Sequence, residues 1–350
     1  MSKRTRPAVI GCTIAAALLV VAALSACSGA PLAVAPASGL TAQDTSQAAT
    51  PTVLPRPTLS VSAPIAVRAG SWFKVTGKAS KTVATTDTVL VLLQRLSGGK
   101  WSTASTRTAT VTAAHVVSAR VKAPGRGHLR VRIVAIETTT HASATSSYRA
   151  VKAVGSKVIA LTFDDGPWRS STDRMVAALK KADVTATFFM LGAQVNGQRA
   201  LAKKVVQAGN LVGVHSWNHP IMVRRSDKTN KADLKRCKAT IKSATGITPL
   251  WFRPPYGSTN AALKRVAKSV GLRQVIWDVD TLDWKFRTVG SVTSRALAGA
   301  RNGAVVLMHD GGGNRSATVA AVPRIIAALR KKGYDFVRLD ELVALGYQAN

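Results

Sequence analysis

The chain changes its apolar rhythm near Gly155. Beyond that point, short runs that are apolar on both faces ("VIALTF", "TATFFML", "LVGVH", "LRQVIWDV", "AVVLMH", "YDFVRL") alternate with longer amphipathic segments ("STDRMVAALKKA", "KADLKRCKATIKSAT", "NAALKRVAKSV", "TVAAVPRIIAALRKK"). Apolar runs of that length fit strands covered on both sides, and the longer segments carry the helical period. Gly209, Gly246, Gly271 and Gly333 each follow a last helical turn, where a left-handed cap is wanted. The alternation predicts an α/β fold with a parallel sheet or barrel. Pro323 lies inside the last helical pattern, so that helix is expected to start near it or to kink there.

Upstream the rhythm is shorter. Over residues 59–151, β-branched runs ("FKVTGKA", "TVLVLLQRL", "RTATVTA", "VVSARVKA", "PGRGHLRVRIVAI") are separated by Gly and Ser turns, which predicts a small antiparallel β-sandwich. "GGKW" and "GHLRVRIVA" resemble the immunoglobulin-like repeats of some secreted bacterial wall proteins, and that resemblance implies spacing or adhesion. His115, His128 and His141 have no carboxylate at ligand spacing and read as surface or turn histidines. Residues 27–58 are rich in Ala, Pro, Ser and Thr with almost no aromatic residue, the composition of a disordered tether.

The first residues combine a basic start, an apolar run from Ala8 to Leu24 and then small residues, the pattern of a secretory signal over residues 1–26. A permanent amino-terminal span is the alternative, although the run falls just short of the ~20 residues a span needs. "LSAC", Leu24 to Cys27, resembles the lipobox of bacterial lipoproteins, which makes Cys27 the lipidated first residue of the mature chain. The expected location is the extracytoplasmic face of the membrane, with the lipid on Cys27 as anchor. Cys12 leaves with the signal and Cys27 is blocked, so Cys237 has no disulfide partner.

Charge narrows the partners. The 350 residues hold 49 Lys and Arg against 16 Asp and Glu, a formal net charge of +33. A polyanion is the natural counterpart. Export argues against nucleic acid and for anionic wall polymers, a phospholipid surface or an acidic glycan.

The few acids collect in a pattern. Asp164, Asp165, Asp278, Asp280, Asp283 and Asp310 lie at or just after the ends of strand-like runs, as do His215, His219 and His309. Carboxyl ends of parallel strands emerge on one face, where active sites form. "DDGP" is good turn chemistry, but two adjacent carboxylates are costly unless a cation is near or one is protonated. His215 and His219, four apart in "HSWNHP", form an easy chelating pair; with one aspartate they make the two-His, one-carboxylate set that leaves positions open on zinc or another divalent ion. Non-heme iron oxygenases use the same set, usually on antiparallel double-sheet folds, so the βα alternation favours hydrolysis. In "WFRPPYG" two prolines make a rigid loop that fixes Arg253 and the backbone N–H of Tyr256.

Taken in order, "TFDDGP", "HSWNHP", "RPPYG", "DTLDW" and "LMH" resemble the polysaccharide deacetylases of the NodB-homology type, carbohydrate esterase family four. The resemblance spans Lys157 to Leu345, inside an expected catalytic domain of residues 155–345. It implies a distorted (β/α) barrel of about seven parallel strands and hydrolysis of N-acetyl groups on a sugar polymer. It also implies a bound divalent metal, zinc first and cobalt or another divalent ion as alternatives. Carried across, Asp165, His215 and His219 are the metal ligands, Asp164 the catalytic base, Arg253 its orienting partner, His309 the acid and Asp283 the group that holds it. Tyr256 offers its N–H to the oxyanion, while Trp284 and Leu307 line the acetyl pocket. The substrate implied is an acetylated glycan, first the N-acetylglucosamine of peptidoglycan. Chitooligosaccharide, another exopolysaccharide and acetylxylan are enzymatic alternatives, and a non-catalytic wall-binding lipoprotein is the alternative of a different class.

Overall fold

The computed structural model describes residues 53–348; the expected signal segment, Cys27 and most of the expected tether lie outside the described residues. No helix among the described residues is long and apolar enough to cross a membrane. The first part is all β: β1 (Ala66–Arg68), β2 (Trp72–Lys78), β3 (Val89–Ser97), β4 (Lys100–Val111), β5 (Val116–Lys122), β6 (Gly127–Ala135), β7 (Ala144–Thr145) and β8 (Arg149–Val154). The strand order is β1-β8-β6-β3-β4-β5-β2, with β7 beside β6. Every pair is antiparallel except β1 with β8. Strand β4 pairs with β3 up to Ala109 and with β5 at Thr110 and Val111, so one long strand turns the sheet over a core that includes Phe73, Val91, Leu93, Val131 and Ile133. His141 departs from the surface position expected of it. It is fully buried, with Nε2 3.1 Å from Asp87 and Nδ1 3.0 Å from the Ala142 carbonyl, because both ring nitrogens find partners inside.

The second part alternates strand and helix: β9 (Lys157–Asp164), α1 (Thr172–Lys181), β10 (Thr187–Met190), α2 (Gly192–Gly197), α3 (Arg199–Gln207), β11 (Leu211–Val214), α4 (Asp227–Thr245), β12 (Trp251–Phe252), α5 (Ala261–Ser269), β13 (Arg273–Gln274), β14 (Val279–Asp280), α6 (Val289–Ala298), β15 (Val305–His309), α7 (Ser316–Lys331), β16 (Tyr334–Phe336) and α8 (Leu339–Ala344). The strands run parallel in the order β13-β12-β11-β10-β9-β15-β14, and β16 pairs with the first residues of β9. The end strands β13 and β14 are neighbours in the chain, so seven strands curl into a barrel left open between them. The four glycines expected to cap helices all have positive φ, between 70° and 85°. Helix α7 begins at Ser316 and runs through Pro323, so it does not start at the proline. A proline there forgoes one hydrogen bond, at a cost of about 3 kcal/mol, and the buried face of Val322, Ile325, Ile326 and Leu329 offsets it.

Side-chain parity decides what the barrel encloses. Along β9, Ile159, Leu161 and Phe163 join the core beneath the helices, whereas Val158 and Ala160 join a second core inside the barrel with Phe189, Trp251, Val305 and Leu342. Successive strand residues point to opposite faces, so Thr162 and Asp164 follow Ala160 inward. The same count runs on β15, where Val306 and Met308 face the helices and His309 turns inward. Apolar residues fill the amino-terminal end and polar ones the carboxyl end. The sandwich rests on the filled end: Lys152 Nζ donates to the Phe336 carbonyl at 2.8 Å, and the Gly155 N–H donates to Asp335 at 2.6 Å.

Candidate active site

Strand register levels the polar residues. Asp164 stands beside Phe189 on one side and His309 on the other, and Val214 beside Phe252, so His215 and Arg253 leave their strands at the same height. The turns that follow are tight. Among the described residues, five of the seven non-glycine residues with positive φ lie here: Asp165, Ser216, His219, Tyr256 and Leu282. Such backbone costs of order 1–3 kcal/mol per residue and persists only where its surroundings enforce it, a pattern that marks functional sites.

Asp165 Oδ1 lies 3.4 Å from His219 Nε2 and 3.5 Å from His215 Nε2. One ligating atom from each residue lies within 4.8 Å of the others, which among the described residues makes the single group of three able to hold a metal ion. Hydrogen bonding tests the fit. His215 Nδ1 donates to the Arg253 carbonyl at 2.7 Å, and burial pushes the His215 pKa down to about 3, so its Nε2 carries a lone pair at neutral pH. That lone pair faces Asp165 Oδ1, a buried oxygen with no hydrogen-bond partner. Acceptors turned toward one another need a cation between them, and the donor set suits a divalent one.

Asp164 sits beside this group with a different partner. Its Oδ1 accepts from Arg253 Nη1 at 2.8 Å, and the same nitrogen donates to Thr162 Oγ1 at 2.8 Å. Arg253 is fully buried and stacks on Phe189, 4.2 Å from the ring centroid. Burial raises the Asp164 pKa, with Arg253 opposing it. Across the site, His309 Nδ1 donates to Asp283 Oδ1 at 2.7 Å and the His309 N–H to Oδ2 at 2.9 Å. Burial alone would depress the His309 pKa; the Asp283 hydrogen bond and charge outweigh it and raise it. Both sides open on a pocket of about 380 Å³ whose walls include Asp164, His215, Tyr256, Trp284, Leu307 and His309. The site residues expected from the sequence, Cys27 excepted, therefore gather at one end of the barrel, with Arg253 and Asp283 buried behind the residues that line the pocket. Cys27 lies outside the described residues.

The sequence profile of the polysaccharide deacetylase family matches residues 151–275. A peptidoglycan-N-acetylglucosamine deacetylase of Bacillus cereus is 38% identical over 189 residues, covering 53% of this chain and 88% of that protein. The chain belongs to the polysaccharide deacetylase family. The peptidoglycan-N-acetylglucosamine deacetylase PgdA of Listeria monocytogenes is 42% identical over 191 residues, covering 55% of this chain but only 40% of the relative. The chain thus matches less than half of that longer protein. Among solved structures, a family 4 acetyl xylan esterase from Clostridium thermocellum in complex with a cobalt ion aligns with a TM-score of 0.52 at 33% identity, over 55% of this chain and 94% of that one.

The site also uses residues that lie outside the five motifs. Thr318, in the first turn of α7, donates to Asp283 Oδ2 at 2.8 Å. Arg315, 4% exposed, donates to the carbonyls of Gly311, Gly312 and Asp283. It closes the glycine loop onto Asp165: a Cβ on Gly311 would stand 2.3 Å from the Asp165 carbonyl oxygen, so these glycines serve close approach rather than looseness. Asp233 of α4 accepts from the Trp217 N–H at 2.8 Å and from Arg225 at 3.0 Å, pinning the turn that carries both histidines. Asp310 is buried behind the site; burial lifts its pKa to about 7, and Thr172 donates to it. A lone Thr or Asp on an amphipathic helix gives no signal before the fold is known.

Proposed function

We propose that this chain is a metal-dependent hydrolase that removes N-acetyl groups from a wall polysaccharide, first of all the N-acetylglucosamine of peptidoglycan. The observation that carries this reading is the pair of buried acceptors, Asp165 Oδ1 and His215 Nε2, set beside a carboxylate and an imidazole that are each oriented by a buried partner. Asp165, His215 and His219 hold the ion, zinc in this reading; when bound, it polarises an amide carbonyl and lowers the pKa of a water. Asp164 takes the proton of the attacking water, and Arg253, locked by Thr162 and Phe189, keeps the carboxylate turned to receive it. The Tyr256 N–H is offered to the oxyanion. His309 returns a proton to the departing amine from Nε2, since Nδ1 is engaged by Asp283, and its raised pKa keeps imidazolium available. Trp284 and Leu307 accommodate the acetyl methyl group.

Export, lipidation at Cys27 and a strongly basic chain complete the proposal: an enzyme anchored on the outer face of the membrane, working on glycan interleaved with anionic polymers. The deciding experiment is acetate release from purified peptidoglycan, chitooligosaccharide and acetylxylan, with and without a chelator. Release from peptidoglycan that stops on chelation and returns with zinc is the expected result; chelator-insensitive release, or none, would refute it.

Thr318→Val should lower kcat several-fold with little change in KM, because Asp283 loses one of the donors that hold it against His309. Thr318→Ser should restore the rate. Equal losses in both variants would assign Thr318 to packing alone.

A further inference from the structure

Trp284 lines the pocket, and the residues that follow it in the chain, Lys285, Phe286 and Arg287, are exposed. Arg295 of α6 lays its guanidinium 4.4 Å from the centre of the Phe286 ring, and Lys285 Nζ lies 5.3 Å from the same ring. Arg287 Nε donates to the Trp284 carbonyl at 3.2 Å, which ties that guanidinium to the main chain of a residue that lines the pocket. Two cations therefore flank one aromatic ring and a third is tied to Trp284, and none of the three forms an ion pair within 4.0 Å among the described residues. Asp280 lines the same pocket, but burial raises its pKa and so disfavours its charge, while Arg295 opposes that shift.

Aromatic faces alone stack on sugar rings, whereas cations held near their working geometry suit a carboxylate, because less side-chain freedom is lost on binding. We propose that Lys285, Phe286, Arg287 and Arg295 form a subsite next to the acetyl pocket that takes a carboxylate-bearing sugar adjoining the one to be deacetylated. The preferred substrate is then an acidic glycan. This rests on the deacetylase reading and adds a substrate class to it.

Three glycans of equal length separate the ideas: an oligomer with free lactyl carboxylates, the same oligomer with those carboxylates amidated, and a chitooligosaccharide. In the wild type, kcat/KM for the acidic oligomer should exceed that for the amidated one roughly tenfold, with the preference shrinking as salt rises. In the double variant Lys285→Glu, Arg287→Glu that ratio should fall to about one, and Arg295→Gln should lower it part of the way. Equal wild-type rates on acidic and amidated oligomers, or a double variant that keeps the preference, would overturn the subsite. Calorimetric affinities of the same oligomers judge it without turnover: a matching preference supports it and equal affinities refute it. Absence of acetate from all three glycans would instead count against the parent reading.

Discussion

Replacing Asp164 by Asn is expected to lower kcat by roughly 10²–10⁴-fold, the span usual for a general base, while metal content stays at the wild-type level. Asn keeps the shape of the side chain and an oxygen for Arg253 Nη1, now 2.8 Å from Oδ1, but it cannot take a proton. Asp165, His215 and His219 are untouched, so the group able to hold the ion remains. The substitution also leaves Arg253, fully buried, without its counter-charge, and breaking a buried ion pair costs on the order of 3–5 kcal/mol. Contacts to Thr162 and the Ile276 carbonyl soften this, so a lower Tm should accompany the loss of turnover. Acetate release and metal stoichiometry, measured on one folded preparation, check both halves. Turnover within tenfold of the wild type would remove Asp164 from the role of base; metal loss alongside activity would make it a ligand.

Much of this site was legible because parity and strand direction are sequence properties. Once "VIALTF" is a strand under helices, Ile159, Leu161 and Phe163 must cover one face, and Asp164 falls on the other at its carboxyl end. The same argument places His215 after "LVGV" and His309 after "VVLM". What the sequence hid was whatever depends on elements meeting from afar. Thr318 and Arg315 matter only because α7 begins against the Asp283 turn, and Asp233 only because α4 packs beside Trp217. Helix α6 was missed for a plainer reason. It buries only Val292 and Ala296, a stripe too thin to stand out as a period. His141 shows the reverse error, since a histidine without a nearby carboxylate in sequence found Asp87 across the sandwich.

Asp165→Ala carries the largest expected effect, loss of bound metal and of all measurable acetate release, and it should do so without unfolding the protein. The wild-type carboxylate adjoins Asp164, is 9% exposed, and its Oδ1 has no hydrogen-bond partner, so in the metal-free protein it is a cost. Removing it relieves about 1–3 kcal/mol of unsatisfied burial. Against this, alanine at a φ of 75° loses roughly 1–2 kcal/mol, because Asp tolerates left-handed backbone better than Ala does. The metal-free Tm should therefore stay near that of the wild type. The two proteins diverge on adding a divalent ion: at a hundredfold excess over Kd the wild type gains about 2.7 kcal/mol of stability by linkage, and the variant gains almost nothing. A thermal scan with and without zinc reads this difference independently of catalysis. A variant that is stabilised by zinc as strongly as the wild type would show that Asp165, and with it the three-residue group, is not where the ion binds.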